Sequence, residues 1–434
     1  MPRTTKKTTA PIEKHTIPTI PAAEQPYRVP ENWRWVYLPA VCEYMRSGGD
    51  KPQDISVSQM NNHSIPVVAN GMQDDGIIGY TNVKNEKAGT LTVSARGTIG
   101  HAIVRNYPYY PVIRLIVLSP NSFTISSYLK YIFDYFEEEG TGTSIPQLTV
   151  PSLKNKIIPL PPLAEQQRIV DRIERLFAKL DEAREKAQAV VDGFENRKAA
   201  ILHKAFTGEL TRKWREERGI GIKTWQTTTL STVVNGFKYG TSEKSDYSYL
   251  GMPVLRIPNI GNDGIIFSDM KYLSTEDIDD SDQIHENDIL IIRSNGSREL
   301  VGKCILVPPL EREYTYASFL IRITPNKSIQ PSFLEKYLNS YDARSQMFSK
   351  AKSSAGINNI NTKELGGIII HLPTLQEQTE IVSTIQKLIQ QERRAHDLAE
   401  SVITQIDVMK KAILARAFRG ELGTNDPSEA ACEG

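Results

Sequence analysis

The sequence predicts an α+β fold with an internal pseudo-two-fold repeat, in which two mixed α/β globes are joined by two long antiparallel coiled-coil helices. Three observations lead there. A 53-residue segment recurs at a fixed spacing, the apolar positions of both copies step in heptads, and the stretch ahead of each copy combines short β runs with one helical run.

Ile158-Pro-Leu-Pro-Pro-Leu-Ala-Glu-Gln-Gln-Arg-Ile-Val170 is echoed by Ile370-His-Leu-Pro-Thr-Leu-Gln-Glu-Gln-Thr-Glu-Ile-Val382, and Ala200-Ile-Leu-His-Lys-Ala-Phe-Thr-Gly-Glu-Leu210 by Ala412-Ile-Leu-Ala-Arg-Ala-Phe-Arg-Gly-Glu-Leu422. Both matches lie 212 apart (370 − 158 and 412 − 200), and 22 of the 53 aligned positions are identical. A length held constant over such a span implies rods. Pro161, Pro162 and Pro373 fall where a first helical turn accepts proline. Glu165 and Glu377 sit at the positive end of each helix dipole, and Gly208 and Gly420 supply the stop.

Between these ends the apolar steps alternate four and three, which is a heptad. The pairing positions are Ile173, Leu176, Leu180, Ala187, Val190, Phe194 and Arg197 in the first copy. In the second they are Leu388, Glu392, Ala399, Val402, Ile406, Met409 and Ile413. A helix of ~40 residues would span ~60 Å. In an antiparallel register whose facing residue numbers sum to 589, Ala187 meets Val402, Val190 meets Ala399, Phe194 meets Ala395, Leu180 meets Met409 and Leu176 meets Ile413. Large then opposes small near the middle. Glu392, the one charged residue in its seam, meets Arg197.

The stretches ahead of the rods correspond more loosely. Trp33 and Leu38 match Trp225 and Leu230, Gly97 matches Gly296, Gly100 matches Gly302, and Ser144-Ile145 matches Gly356-Ile357. The offset grows along the domain, so the second copy carries loop insertions. Val67-Val68, Leu91–Ser94, Ile103-Val104 and Ile113–Val117 read as strands, as do Val254–Ile257, Ile289–Ile292, Cys304–Val307 and Phe319–Ile323. Ser126–Phe136 and Ser332–Tyr341 read as helices. The expected organisation is a disordered Pro/Thr-rich tail at 1–29, a globe at 30–157, a repeat helix at 158–212, a globe at 213–369, a second repeat helix at 370–422 and a loose C-terminal tail at 423–434. The N-terminal tail has five prolines and a charge of +3 (five basic, two acidic).

Composition excludes several classes. Lys+Arg number 52 against 51 Asp+Glu, a net charge of +1, so the chain has no histone-like basic coat. No apolar run reaches the ~18–20 residues of a spanning helix, and no secretory leader is visible. Three distant cysteines (Cys42, Cys304, Cys432) form neither a disulfide framework nor a zinc motif. A cytoplasmic protein without membrane contact is expected.

Catalytic constellations are missing. Gly296-Ser-Arg-Glu-Leu-Val-Gly302-Lys303-Cys304 fails as a phosphate loop, because five residues separate the glycines and Cys follows the Lys. It reads as a strand-end turn offering polar groups to DNA. No methyl-donor loop and no Asn-Pro-Pro-Tyr-type motif occurs. Asp277, Asp279, Asp280 and Asp282 lack regular ligand spacing and read as a solvated loop. Glu137-Glu138-Glu139 reads as an exposed helix end, and His63, His101 and His285 form no paired spacing, so no metal site is expected.

A two-fold object such as duplex DNA suits a two-fold reader whose globes differ. Base edges are read best by Arg, Lys, Asn and Gln. The candidates in the first globe are Arg46, Lys51, Asn70, Gln73, Arg96 and Gln147. In the second they are Lys238, Tyr239, Lys244, Arg256, Asn259, Arg293, Asn295, Lys352 and Asn358. Residues 30–157 carry 11 basic and 11 acidic groups and residues 219–369 carry 16 and 17. Neutral globes imply weak DNA binding by the chain alone.

At the twin Pro-Leu-Pro-Pro-Leu-Ala-Glu-Gln motif and the twin Phe-x-Gly-Glu-Leu ends, residues 30–422 resemble a specificity subunit of a type I restriction-modification system. The resemblance implies that the globes are target recognition domains, each reading one half of a bipartite double-stranded DNA target. It implies that the helices fix the gap and dock two methyltransferase subunits, with restriction subunits joining that core. The chain itself would be non-catalytic and bind no cofactor directly. S-adenosylmethionine would belong to the methyltransferase partner, and ATP and Mg to the restriction partner. Other readings are a DNA-reading adaptor of another methylation-based defence system, or a coiled-coil scaffold whose globes bind proteins. A fused enzyme is disfavoured by the missing motifs.

Overall fold

The computed structural model of the protein describes residues 17–136, 147–262, 264–276, 278–350, 352–354 and 357–431. They form two compact units, one running to Ala187 and resuming at Ser401, the other running from Gln188 to Glu400.

The first unit contains β1 (Arg34–Tyr37), β2 (Cys42–Ser47), β3 (Ile65–Val68), β4 (Ile77–Thr81), β5 (Thr90–Val93), β6 (Ala102–Arg105), β7 (Tyr110–Pro111), β8 (Ile116–Pro120), α1 (Ser126–Phe136), α2 (Val150–Lys154), β9 (Ile157–Leu160) and the start of α3 (Leu163–Asp192). Its sheets run β2-β8-β5-β6, β4-β3-β7 and β1-β9. The middle strands β5 and β8 are aliphatic or β-branched over Thr90–Val93 and Ile116–Leu118, which suits strands covered on both faces. Helix α1 contributes Tyr128, Leu129, Ile132 and Phe133, one helical stripe, to the core that includes Leu91, Ile116 and Leu118. The last helix of the chain, Leu375–Phe418, ends in this core, where Phe418 meets Tyr128 and Tyr135 at ring separations of 5.7 and 5.4 Å.

The second unit repeats this plan. It contains α4 (Phe194–Phe206), α5 (Arg212–Glu217), β10 (Gln226–Thr229), β11 (Val234–Tyr239), β12 (Pro253–Leu255), β13 (Lys271–Tyr272), β14 (Ile289–Ile292), β15 (Ser294–Asn295), β16 (Cys304–Leu306), β17 (Thr315–Tyr316), β18 (Leu320–Pro325), α6 (Pro331–Leu338), α7 (Tyr341–Lys350), β19 (Lys352–Ser354), β20 (Ile357–Asn359), α8 (Thr362–Gly366), β21 (Ile369–Leu372) and the start of α9 (Leu375–Phe418). The order β11-β18-β14-β16 mirrors β2-β8-β5-β6, β13-β12-β17 mirrors β4-β3-β7, and β10-β21 mirrors β1-β9. The parallel pairing recurs as well, β3 with β7 and β12 with β17. The second unit adds a three-stranded ribbon, β15-β20-β19.

Several sequence expectations need correction. The first repeat is not one helix, since α3 and α4 are separated at Gly193, and residues 158–160 of the repeat belong to β9. The strand read at Ile113–Val117 begins only at Ile116, because Ile113 and Arg114 both have positive φ and form a turn. The helix read at Ser332–Tyr341 stops at Leu338, and a second helix, α7, follows. Its polar sequence hid it, since only Ala343 and Met347 are buried. The described part of the expected N-terminal tail, residues 17–29, is packed on the globe: Ile20 donates its amide to Trp35 O at 2.8 Å, and Tyr27 packs edge-on against Trp35. The C-terminal tail is also packed, with Arg168 donating twice to Glu429 at 2.8 Å. Residues 1–16, Glu137-Glu138-Glu139, Ser144-Ile145, Asp277, Gly356 and Cys432 lie outside the described residues.

Within each unit the long helices run antiparallel. In the first, Arg184 pairs with Asp407 and Asp181 with Lys410, so one number rises as the other falls. Ile173, Ala187 and Ile406 are buried, while Leu176, Leu180, Val402 and Ile413 are half-buried. Met409 is 49% exposed and does not fill the seam. Its neighbour Lys410 lies 5.0 Å above the Phe177 ring instead. In the second unit, Arg197 Nε donates to Glu392 at 2.5 Å. Ala399 is buried there, and Val190 and Leu388 are half-buried. Phe194 meets the His396 ring at 5.1 Å in a tilted contact, whereas Ala395 is exposed.

Each globe is fastened to its helix by the repeated Glu-Gln pair, buried in both copies. Trp33 Nε1 donates to Glu165 at 2.8 Å and Trp225 Nε1 to Glu377 at 2.9 Å. Gln166 donates to the Phe123 and Pro161 carbonyls and accepts from Thr124 and Ile125. Gln378 donates to the Ser328 and Pro373 carbonyls and accepts from the Gln330 amide. Here the copies also part. Glu377 pairs with buried Arg215 at 2.5 Å. Glu165 makes no ion pair among the described residues, and burial raises its pKa above the ordinary carboxylate value, although the Trp33 hydrogen bond and the nearby charge of Arg168, itself paired with Glu429, oppose the shift.

Candidate nucleic-acid interface

In the second unit four segments converge on Arg293, at the end of β14. Its amide donates to Phe319 O at 3.0 Å, and Nη1 reaches Ser318 O at 3.4 Å. Nε faces Asn359 Oδ1 at 3.4 Å, and the guanidinium stacks 4.6 Å from the Tyr239 ring centre. Tyr239 closes the ring of contacts by accepting the Thr362 amide at 3.2 Å. The neighbouring ribbon pairs Asn295 with Asn358. Asn295 accepts the Ser297 amide at 2.8 Å, and Asn358 Nδ2 donates to Gly296 O at 3.2 Å. The result is a rigid platform of amides, one arginine and one tyrosine. Lys352 lies on β19, opposite Asn359.

In the first unit the corresponding clamp is Asn70. Its Nδ2 donates to Ile113 O at 2.8 Å and its Oδ1 accepts the Ala95 amide at 2.7 Å, which ties three loops together. Beside Ala95, exposed Arg96 donates to Gln147 Oε1 at 3.1 Å. Gln73 stands exposed on the first of these loops, where Asp74, Asp75 and Gly76 all have positive φ. Buried Arg105 fixes that bend by donating to Asp75 O at 2.8 Å.

Other candidates lie elsewhere or have different work. Asn259 is fully buried. It donates to the Ile266 and Asp269 carbonyls and accepts the Arg256 amide, so it holds the loop after β12 and is not a surface reader. Asn70 likewise uses both ends of its amide on backbone. Arg46 is bound to Glu86 and Asn85, Lys238 to Asp282 at 2.7 Å, and Arg256 to Asp269 at 3.2 Å. Lys51 and Lys244 are exposed on the loops after β2 and β11. Sequence reasoning missed Arg114, Phe319, Asn359 and Thr362. Their signal is topological, since each stands in a turn or at the end of an element beside a clamp.

Burial pushes the Cys42 thiol up to about 12 and raises Cys304 as well, so neither is a reactive thiolate. Among the described residues one His/Asp/Glu cluster, His396, Asp397 and Glu400, has ligand atoms within 4.8 Å of one another. It lies on the surface of α9 with its imidazole in tilted contact with Phe194. No helix among the described residues is long and apolar enough to cross a membrane.

Two topologically matched globes with clamped loops, each fastened to a repeated helix, define a paired recognition scaffold. The family model for the type I restriction modification DNA specificity domain matches residues 30–190 and 222–400. The chain belongs to that family. It is similar to the type I restriction enzyme EcoKI specificity subunit of Escherichia coli (strain K12), with 28% identity over 285 residues, 65% of this chain and 61% of that protein. It is also similar to the StySPI specificity subunit of Salmonella potsdam, with 27% identity over 70% of this chain and 66% of that protein. The chain thus spans about two thirds or less of the length of these relatives. The HsdS subunit from Thermoanaerobacter tengcongensis shares the fold, with a TM-score of 0.62 at 20% identity over 92% of this chain and 100% of that one.

Proposed function

We propose that this chain is the DNA-reading specificity subunit of a type I restriction-modification complex, with the loop cluster of each unit reading one half of a bipartite target. The observation that carries the reading is the contrast between the copies. Strand order and the buried Glu-Gln fastening recur, while the loop clusters differ in side chains and even in strand content. Divergence of the presented loops on a shared framework is what two different half-sites require. A protein-binding scaffold gives no reason for it.

In this reading the paired helices fix the gap and dock two methyltransferase subunits, and restriction subunits join them in the cytoplasm. S-adenosylmethionine, ATP and Mg act in those partners, and this chain contributes no catalytic group. Leu163 and Leu375, at equivalent positions (375 − 163 = 212) on the first turns of α3 and α9, are exposed in both copies.

Arg96→Ala in the assembled methyltransferase complex tests the reading. Arg96 is exposed, so folding should hold. Affinity for the cognate site should fall by about 5- to 100-fold with relaxed preference at one base of one half-site. An equal loss on unrelated DNA would contradict base reading.

A further inference from the structure

The two units share one presented position whose chemistry has changed. Gly48 follows β2 and Gly240 follows β11, 192 apart (240 − 48), and each is pressed against backbone. A Cβ on Gly48 would lie 2.8 Å from Pro111, and one on Gly240 2.2 Å from Tyr316 O. Both loops pair in parallel with the turn after the short strand, as Gly49 with Val112 and Thr241 with Ala317. The same backbone bonds then recur. Gly48 N donates to Leu115 O and Gly240 N to Leu320 O, while Ile113 N donates to Gly49 O and Ser318 N to Thr241 O. This register makes Ile113-Arg114 the structural equivalent of Ser318-Phe319, two-residue tips between β7 and β8 and between β17 and β18.

Both tips are held by the clamps already described, Asn70 on Ile113 O and Arg293 on the Ser318 and Phe319 carbonyls. Both expose their second residue. Arg114 makes no side-chain hydrogen bond or ion pair among the described residues, and Phe319 is 57% exposed. The first tip is also strained, with Ile113 at φ 53° and Arg114 at φ 60°. A β-branched residue in that region is an outlier that turn formation alone would fill with Gly or Asn. Strain at a clamped, exposed tip points to use.

We propose that position 114/319 is a specificity-determining position in each unit, with Arg114 reading a guanine and Phe319 contacting a thymine 5-methyl in the major groove. Arginine matches the N7 and O6 acceptors of guanine, and an exposed phenyl ring offers the apolar surface a methyl group needs. The assignment rests on the DNA-reading function proposed above.

The test uses the assembled methyltransferase complex on its own methylated motif, with base analogues placed one at a time. 7-Deazaguanine removes the N7 acceptor, and deoxyuridine removes the thymine methyl. One guanine in one half-site should lose about tenfold in affinity on 7-deaza substitution, and Arg114→Ala should erase that difference. One thymine in the other half-site should respond to deoxyuridine, and Phe319→Ala should erase that response while leaving the guanine effect intact. A complex with no sequence preference overturns the DNA reading itself. A sequence-selective complex in which each variant keeps the analogue sensitivity of the wild type overturns this assignment alone.

Discussion

Glu165 and Glu377 occupy the same place in the repeat and accept the same indole N–H, yet their electrostatics differ. Removing the charge from Glu377 leaves buried Arg215 without its counterion, a loss of roughly 3–5 kcal/mol for a broken buried pair. Glu377→Gln should therefore lower the unfolding midpoint in denaturant at pH 7. Glu165→Gln should be neutral or stabilising there. The raised pKa of Glu165 gives the sign. Its contribution to stability is full below the ordinary carboxylate value and is lost as pH rises through the raised one. The gap between Glu165→Gln and wild type should thus widen in favour of the variant as pH rises from the ordinary carboxylate value through the raised one, and stay level above it. Equal costs for both variants at pH 7 would contradict the difference in their surroundings. The motif itself is plain in the sequence, where helix-end logic places both glutamates at a dipole. That both are buried against tryptophans 132 and 152 residues away is a tertiary fact with no local pattern. Asn259 and Asn70 mislead for the same reason, because an asparagine that clamps loops and one that reads a base are identical in sequence.

At the scale of elements, periodicity carried most of the information. The repeat spacing and heptads predicted antiparallel rods, and the ion pairs Asp181–Lys410 and Arg184–Asp407 run in that sense. Gly193 interrupts the first rod, and Met409, at a heptad position, stands 49% exposed outside the seam. Short strands were legible where they are aliphatic, as in β5 and β14. Two-residue strands such as β7 and β15, and the polar helix α7, exist through their partners and carry no periodic signal. Ala187→Cys with Val402→Cys, both in the first unit, should form a disulfide readily on oxidation. Failure to crosslink in a folded protein would reject the 589 register.

At the scale of the molecule, near-equal acidic and basic counts over residues 30–157 and 219–369 give little long-range attraction for phosphate. Much of the non-specific affinity should come from the methyltransferase partners, so the log–log salt slope of DNA binding should be shallower for the lone chain than for the assembled complex. A lone chain with an equally steep slope would contradict this. Under the proposed function, what each unit would read was not legible, since neither composition nor period singles out the exposed side chains on the clamped loops. The most direct test of the central claim is single-molecule sequencing of methylated adenines in the host genome with this gene intact and deleted, in cells where the methyltransferase partner is active. A single two-part motif with an undefined gap should lose methylation on deletion. An unchanged methylation pattern would contradict a DNA-reading role for this chain.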